Sequence, residues 1–455
     1  MTFFFAQTSL PKALPRFIFG MPTILSVTDN HSSYPDFPAM LAPLRRAGRR
    51  MRRTRNFVFL KDVAVLACTA FGGPQAHLAM MFRQLVNKRQ YLTAAELLEI
   101  QALCALLPGP TSTQIMTAIG FRLGGPNLAY LTLLVWCLPS VVLMTLAGLL
   151  LTRFDTAFTA HLVQFVQPVA VGFVAFSAYR IAEKVIHTKT SVALLVAAAM
   201  VAYFFQLPGV LPLLLLAGGV VTALRYRKHA IVPDKKPIRV EWANGALWLG
   251  IFLLAALLGH YTQLLPVRLF ENFYRNGSLV FGGGQVLAPL LFAEFVEYKH
   301  YLTGPEFLSG LGLVQALPGP NFSFASYIGA LAMRPLGGTG PQLLGAAVGA
   351  AGIFLPGTFL IFFVIRFWDS LRQYRVVKAS LEGVNAVSAG LVCAAALLLY
   401  HPLPDRLLPL PGALAHWHLP LNPLLVGATF LLLLWERVPS VAIVGVALLA
   451  GALLR

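Results

Sequence analysis

Charge is what this chain has least of. Only 11% of its 455 residues are Asp, Glu, Lys or Arg, and only 17 are acidic, whereas ordinary soluble domains carry roughly 25% charged residues. A soluble chain of this length needs a charged, solvated face. A soluble enzyme, an all-β secreted scaffold and a disordered regulator are therefore excluded together. Cysteine is scarce too: Cys68, Cys104, Cys137 and Cys393 lie in apolar stretches with no CxxC pair, so they read as small buried hydrophobes rather than disulfide halves or metal ligands. HExxH, GxSxG, a Walker A sequence and a zinc-spaced Cys/His set are all missing. No catalytic residue, cofactor or metal is expected, and without a nucleotide-binding segment any transport is expected to run on ion gradients or passive flow.

Apolar sequence is what there is in plenty. The chain is 57% hydrophobic with a mean hydropathy of +0.72, which identifies an integral membrane protein. The net charge of +18 does not point to nucleic acid, because the Lys and Arg residues cluster in short loops between apolar runs. That is the positive-inside pattern, and it makes the lipid bilayer and its anionic head groups the partner.

Residues 1–50 stand apart, with prolines at 11, 15 and 22 and no basic signal-peptide start. They are expected to be disordered or to precede the natural start at Met51, which opens an Arg-rich stretch. Two interrupted apolar segments follow, 57–87 and 94–122, then runs of membrane-spanning length at 127–151, 163–184, 190–206 and 209–224. A basic linker, 225–242, leads to a connecting span over 243–266. Beyond it lie interrupted segments 269–297 and 305–333 and runs at 341–365, 380–400, 420–435 and 438–454. The expectation is an all-α polytopic protein of about thirteen segments, since open sheet edges are not tolerated in lipid.

The strongest signal is an internal repeat. A shift of 210 residues lays Phe71-Gly72-Gly73 on Phe281-Gly282-Gly283 and Leu107-Pro108-Gly109-Pro110 on Leu317-Pro318-Gly319-Pro320. Residues 71–113 and 281–323 share 16 identities in 43 ungapped positions, including Tyr91-Leu92-Thr93 with Tyr301-Leu302-Thr303. With gaps, Leu138-Pro139 meets Leu355-Pro356 and Val171-Gly172 meets Ala389-Gly390. The reading is a first repeat over 51–224 and a second over 267–455. An odd number of segments separates the two copies, and loop 152–161 is neutral where its counterpart 366–378 is basic. Both facts point to an inverted second half, with the N-terminus cytoplasmic and the C-terminus outside.

Each break places glycine, and in three of four cases proline, before a new half-helix. Such half-helices aim unpaired N–H groups and the positive dipole end at whatever fills the gap. The candidate binding residues are Gly72, Gly73, Pro74, Gln75 and His77 at the first break and Pro108, Gly109, Pro110, Thr111, Ser112 and Gln114 at the second. In the second half they are Gly282, Gly283, Gly284 and Gln285, then Pro318, Gly319, Pro320, Asn321 and Ser323. Their neutral donors suit a small oxyanion. Packing accounts for Gly124, Gly125, Gly345, Gly349 and Gly352. His77 reads as a hydrogen-bonded core residue, a proton carrier or a charge partner to the anion. Arg83, Glu96, Glu294, Glu297 and Glu306 are placed near segment ends, reaching the interface, and Arg122 reads as an interfacial anchor.

These four motifs, in this order, resemble the chromate ion transporter family in its long, duplicated form, over about 57–455. The resemblance implies a plasma-membrane protein that exports chromate, confers chromate resistance, uses the proton motive force and is sensitive to sulfate. It carries the glycine, proline and His pattern onto Gly72, Gly73, Pro74, His77, Pro108, Gly109 and Pro110, and onto Gly282, Gly283, Gly284, Pro318, Gly319 and Pro320. Other readings stay open: a carrier of sulfate or another inorganic anion, a cation site at half-helix C-termini, and a membrane sensor or assembly subunit that transports nothing. A homo-oligomer is also left open.

Overall fold

The repeated sequence folds into a repeated order of helices. The computed structural model describes residues 54–153, 156–206, 209–224, 242–281, 284–366, 374–404, 407–409 and 418–453, all in one unit that begins at Thr54. Residues 1–50, nearly all of the 225–242 linker, Gly282 and Gly283 lie outside them.

In the first half, α1 (54–69) precedes α2 (Gly73–Met81), which continues as a π-helical segment, Phe82–Lys88. Next come α3 (Ala94–Leu106), α4 (Thr111–Gly124), α5 (Pro126–Arg153), α6 (Thr156–Val163), α7 (Val166–Val185), α8 (Lys189–Phe204) and α9 (Val210–Ala223). After α10 (Ala243–Thr262) the series begins again with α11 (Leu265–Leu279) and α12 (Gly284–Phe292), which also runs into a π-helical segment, Ala293–Tyr298. It continues through α13 (Gly304–Ala316), a 3₁₀ turn at Asn321–Ser323, α14 (Phe324–Ala332), α15 (Thr339–Val364), α16 (Arg375–Leu398), α17 (Leu421–Leu434) and α18 (Ser440–Leu453).

The local chemistry repeats as well. α3 and α13 both open on a capping box, in which Thr93 exchanges hydrogen bonds with Glu96 (2.7 and 3.2 Å) and Thr303 with Glu306 (2.9 and 3.4 Å). The long helices α5 and α15 each carry an internal proline, Pro139 and Pro356.

The solvent is written on the surface. Leu131, Leu134, Leu138, Val142, Leu146 and Leu150 are all exposed and follow one another every three or four residues, so one face of α5 is an apolar stripe turned outward. On α10 the exposed residues are Leu247, Leu249, Leu253, Leu254, Leu257 and Leu258. The interior holds Thr117, Thr132, Ser140, Gln167, Asn272, Asn276, Ser326, Thr358 and Ser388. An apolar outer face over a largely apolar core that holds scattered polar side chains is the arrangement of a helical membrane protein.

Among the described residues five helical stretches are long and apolar enough to cross a bilayer: Pro126–Arg153, Ala160–Val185 (the end of α6 with α7), Ala243–Thr262, Thr339–Val364 and Ala379–Leu398. The runs expected to span at 190–206, 209–224, 420–435 and 438–454 form shorter helices of 16, 14, 14 and 14 residues. At 1.5 Å per residue they reach about 21–24 Å, short of the ~30 Å hydrocarbon core. The fold is all-α as expected; the described residues add one short antiparallel pair, Leu407–Pro409 with His418–Pro420, between α16 and α17.

The halves interlace. α7 packs on α17 of the second half, and its equivalent α16 packs on α8 of the first. The matched glycines permit both approaches. A Cβ on Gly172 would meet Thr429 Cγ2 at 2.9 Å and Val426 O at 3.0 Å, and one on Gly390 would meet Ala198 Cβ at 3.0 Å and run into the Leu195 carbonyl. The glycines of α15 do the same work: Gly345 faces the Gly329 backbone, Gly349 the Ala325 carbonyl and Gly352 the Phe273 side chain. That is close helix packing, the role expected of them.

Candidate functional site

The breaks of one half are closed by the breaks of the other. Gly109, at φ +121°, donates its N–H to the carbonyl of Val280 (2.7 Å), the residue before Phe281. Gly319, at φ +99°, donates its N–H to the carbonyl of Ala70 (2.8 Å), the residue before Phe71. These two bonds are each other's images under the 210-residue shift. Each glycine also seats against the proline-bearing helix of the opposite half: a Cβ on Gly109 would lie 3.1 Å from Gly357 Cα, and one on Gly319 would lie 2.9 Å from Ser140 Cβ. Gly357 and Ser140 directly follow Pro356 and Pro139. Positive φ and this lack of room are why both positions are glycine.

The helices that start at the breaks, like most helices of this molecule, are uncapped by side chains. α2 behind Gly72, α4 behind Pro110 and the 3₁₀ turn behind Pro320 have no side-chain cap hydrogen bond, in contrast to the boxes at Thr93 and Thr303. Their first N–H groups have no intrahelical acceptor. Three of the four starts line one tight cleft of about 10 Å³, room for about one water molecule, together with His77 of α2: Pro110, Thr111 and Ser112 from α4, Gly284 from α12, and Pro320, Asn321 and Phe322 from the 3₁₀ turn. Residues from both halves thus share a single pocket, and among the described residues in its wall none but His77 is acidic or basic.

His77 is 1% exposed. Its Nε2 lies 3.1 Å from the Ala70 carbonyl. A carbonyl only accepts, so Nε2 carries the hydrogen and Nδ1 is the free ring nitrogen of the neutral form. Nδ1 is buried with no partner. The ring stands edge-on to Trp136, centroids 5.5 Å apart. The residue matching His77 in the second half is Leu287.

Other expected site residues stand apart from the cavity wall. Gln114 turns back on its own break, donating from Nε2 to the Pro108 carbonyl (2.8 Å) and the Gly357 carbonyl (3.3 Å). Gly72 and Gly73, at φ +91° and +78°, shape the turn into α2. Pro108 is buried behind its break and Pro318 partly so. Ser323 is fully buried with an unpartnered Oγ. The side chains of Pro74, Gln75 and Gln285 lie outside what the structure describes, as do Gly282 and Gly283. A larger open cavity of about 320 Å³, lined in part by Gln167, Glu306, Ser309, Tyr327 and Arg334, opens farther along α14 from Asn321.

Two buried carboxylates escape a motif reading. Asp62 of α1, 4% exposed, accepts from Arg89 (2.8 Å), Gln84 (3.3 Å) and Tyr91 (2.6 Å). Glu294 does not reach an interface as expected; it is 1% exposed and accepts from Arg275 at 3.1 Å. In the repeat, Asp62 matches Asn272 and Gln84 matches Glu294, so each half buries one carboxylate, on α1 in the first and on the π-helical segment in the second. A charged residue inside an apolar segment was the available signal. Glu306 and Glu96 do behave as end residues, paired with Arg334 (2.6 Å) and Arg122 (3.7 Å). Among the described residues no cluster of His, Cys, Asp and Glu could hold a metal ion.

A family model described as Chromate transporter matches residues 58–223 and again residues 267–452. The chain is 28% identical over 353 residues to the chromate transport protein of Pseudomonas aeruginosa, covering 74% of this chain and 79% of that one. It is 25% identical over 362 residues to the probable chromate transport protein of Synechococcus elongatus (78% and 88%). To the chromate transport protein of Cupriavidus metallidurans it is 25% identical over 338 residues (73% and 80%). No solved structure matches.

Proposed function

The chain belongs to the chromate transporter family, and on that premise we propose that it is a secondary transporter of chromate. It binds the anion at the uncapped helix starts around the shared cavity and exports it across the plasma membrane at the expense of the proton motive force. The observation that carries the site is the convergence of Ser112, Asn321, Gly284 and His77, from both halves, on one pocket. Backbone N–H groups and hydroxyls can hold a tetrahedral dianion without a fixed positive charge that would trap it. His77 is the charge partner: a proton on Nδ1 makes it a donor and a cation facing the anion. The open cavity beside Arg334 is the approach from one face.

The proposed organisation is a first repeat over 51–224, a connecting helix over 243–266 and a second, inverted repeat over 267–455. The reciprocal Gly109–Val280 and Gly319–Ala70 bonds support a two-fold relation between the halves. Inversion would offer the same pocket alternately to the two sides of the membrane.

The test is uptake into everted vesicles containing the protein. Labelled chromate should accumulate when an acid interior is imposed, with sulfate competing, and growth in graded chromate should improve with the gene. Sodium flux without anion flux would favour a cation carrier. Saturable chromate binding without accumulation would favour a sensor.

A further inference from the structure

We infer that Glu294, with Arg275 and Glu271, is the site that exchanges the coupling proton, an assignment that rests on the proton-driven reading above. Glu294 lies on the π-helical segment that continues α12, and π-helical turns interrupt helices at functional sites more often than elsewhere. Its Oε1 accepts from Arg275 Nη2 (3.1 Å). Its Oε2 is buried with no partner, and so is Nδ2 of Asn272, whose Oδ1 accepts from the same Arg275 nitrogen at 3.2 Å. An orphaned acceptor and an orphaned donor thus lie around one guanidinium nitrogen. Oε2 therefore has a lone pair on which a proton can sit.

The second carboxylate makes the exchange feasible. Removing one partner of a buried ion pair is costly because it strands the other charge. Arg275 is not stranded when Glu294 takes a proton, because its Nε also donates to Glu271 Oε1 at 2.8 Å. Tyr301 lies in electrostatic range of both Glu294 and Arg268; the residues just before Glu294 meet apolar groups, Phe292 against Phe307 of α13 and Ala293 beside Leu391 and Ala394 of α16, with Glu297 on the same side. The contrast with the first half is informative. Asp62 has three donors on its two oxygens, which suits a fixed structural charge.

Glu294 is also placed to act on the anion. Deprotonated, it ties the rod of α12 to α11 through Arg275; protonated, it releases that tie. The far end of the rod is Gly284 in the cavity wall, ten residues or about 15 Å away along the helix. Protonation therefore biases one wall of the anion pocket between two positions.

The experiment uses the full-length protein in proteoliposomes and compares chromate–chromate exchange with chromate accumulation driven by an imposed pH gradient. Glu294→Gln, which keeps the shape and fixes the neutral state, should retain at least half of the exchange and lose tenfold or more of the driven accumulation. Equal loss of both activities, or unchanged driven accumulation, overturns the assignment. Should Glu294→Gln fail to insert, Glu271→Gln decides. Without the reserve partner, protonating Glu294 strands Arg275, so the midpoint of the pH dependence should move to more acidic pH; an unmoved midpoint overturns the assignment. Wild-type protein that exchanges chromate yet ignores the pH gradient would instead refute proton coupling itself.

Discussion

The amide of Gly109 meets the carbonyl of Val280 at 2.7 Å, a bond that crosses from one half of the molecule to the other at the point where both chains leave helical geometry. Its counterpart joins Gly319 to Ala70. Because each half supplies the donor at one break and the acceptor at the other, the four breaks form one interlocked unit. A shift at either side of the cavity must be felt at the other.

Gly109→Leu and Gly319→Leu should therefore destroy transport without preventing membrane insertion. Both positions have positive φ, which costs a bulky residue about 1–3 kcal/mol, and both lack space for a Cβ against the opposite half. Chromate flux should fall at least tenfold at normal protein levels in the membrane fraction. Wild-type flux in either variant would remove its break from the mechanism.

His77→Ala should flatten the pH dependence of the chromate KM. If the imidazolium is the anion's charge partner, wild-type affinity strengthens as pH falls and His77 protonates, and the variant loses that gain. Transport assays from pH 5 to 8 are the check, and a variant that keeps the wild-type slope would leave His77 as a core residue.

Asp62→Asn installs the residue found at the matching position of the second half. Three hydrogen bonds to a charged acceptor become weaker, so the protein should lose about 1–3 kcal/mol of stability. Thermal unfolding in detergent should show the loss while chromate KM stays within twofold. A selective change in KM with no change in melting would mean that Asp62 belongs to the binding machinery.

Packing makes its own prediction. Gly390→Val should prevent α16 from seating on α8, because the added Cβ runs into the Leu195 carbonyl, and folded protein recovered from membranes should drop several-fold. Gly427→Ala, with no atom within 4 Å of its new Cβ, should be recovered as wild type. Equal recovery of the two variants would contradict the interlaced arrangement.

Much of this was legible in the chain itself. A helix-breaking quartet repeated at a fixed spacing is rare enough to expose Pro110 and Pro320 as equivalent positions, and the polar residues behind them, Ser112 and Asn321, line the cavity. Which break touches which was not legible, since nothing in local sequence links Gly109 to Val280. The direction Gln114 takes was not legible for a related reason: a side chain six residues past Pro108 can turn back to its carbonyl as easily as forward to a ligand. Asp62 and Glu294 were hidden because a lone carboxylate near the end of an apolar run looks the same whether it snorkels outward or pairs inward. The helices α8, α9, α17 and α18 follow their apolar runs to within one to three residues, because hydropathy continues a little way into the turns that flank a helix.

The most direct test is to locate the anion. Crystals of the protein soaked in chromate, with data collected at the chromium edge, should show one strong anomalous peak within hydrogen-bonding distance of the backbone N–H groups at Ser112 and Asn321 and beside His77. A peak seated elsewhere, against Arg334 or Arg275 for example, with the cavity between the breaks empty, would contradict the account.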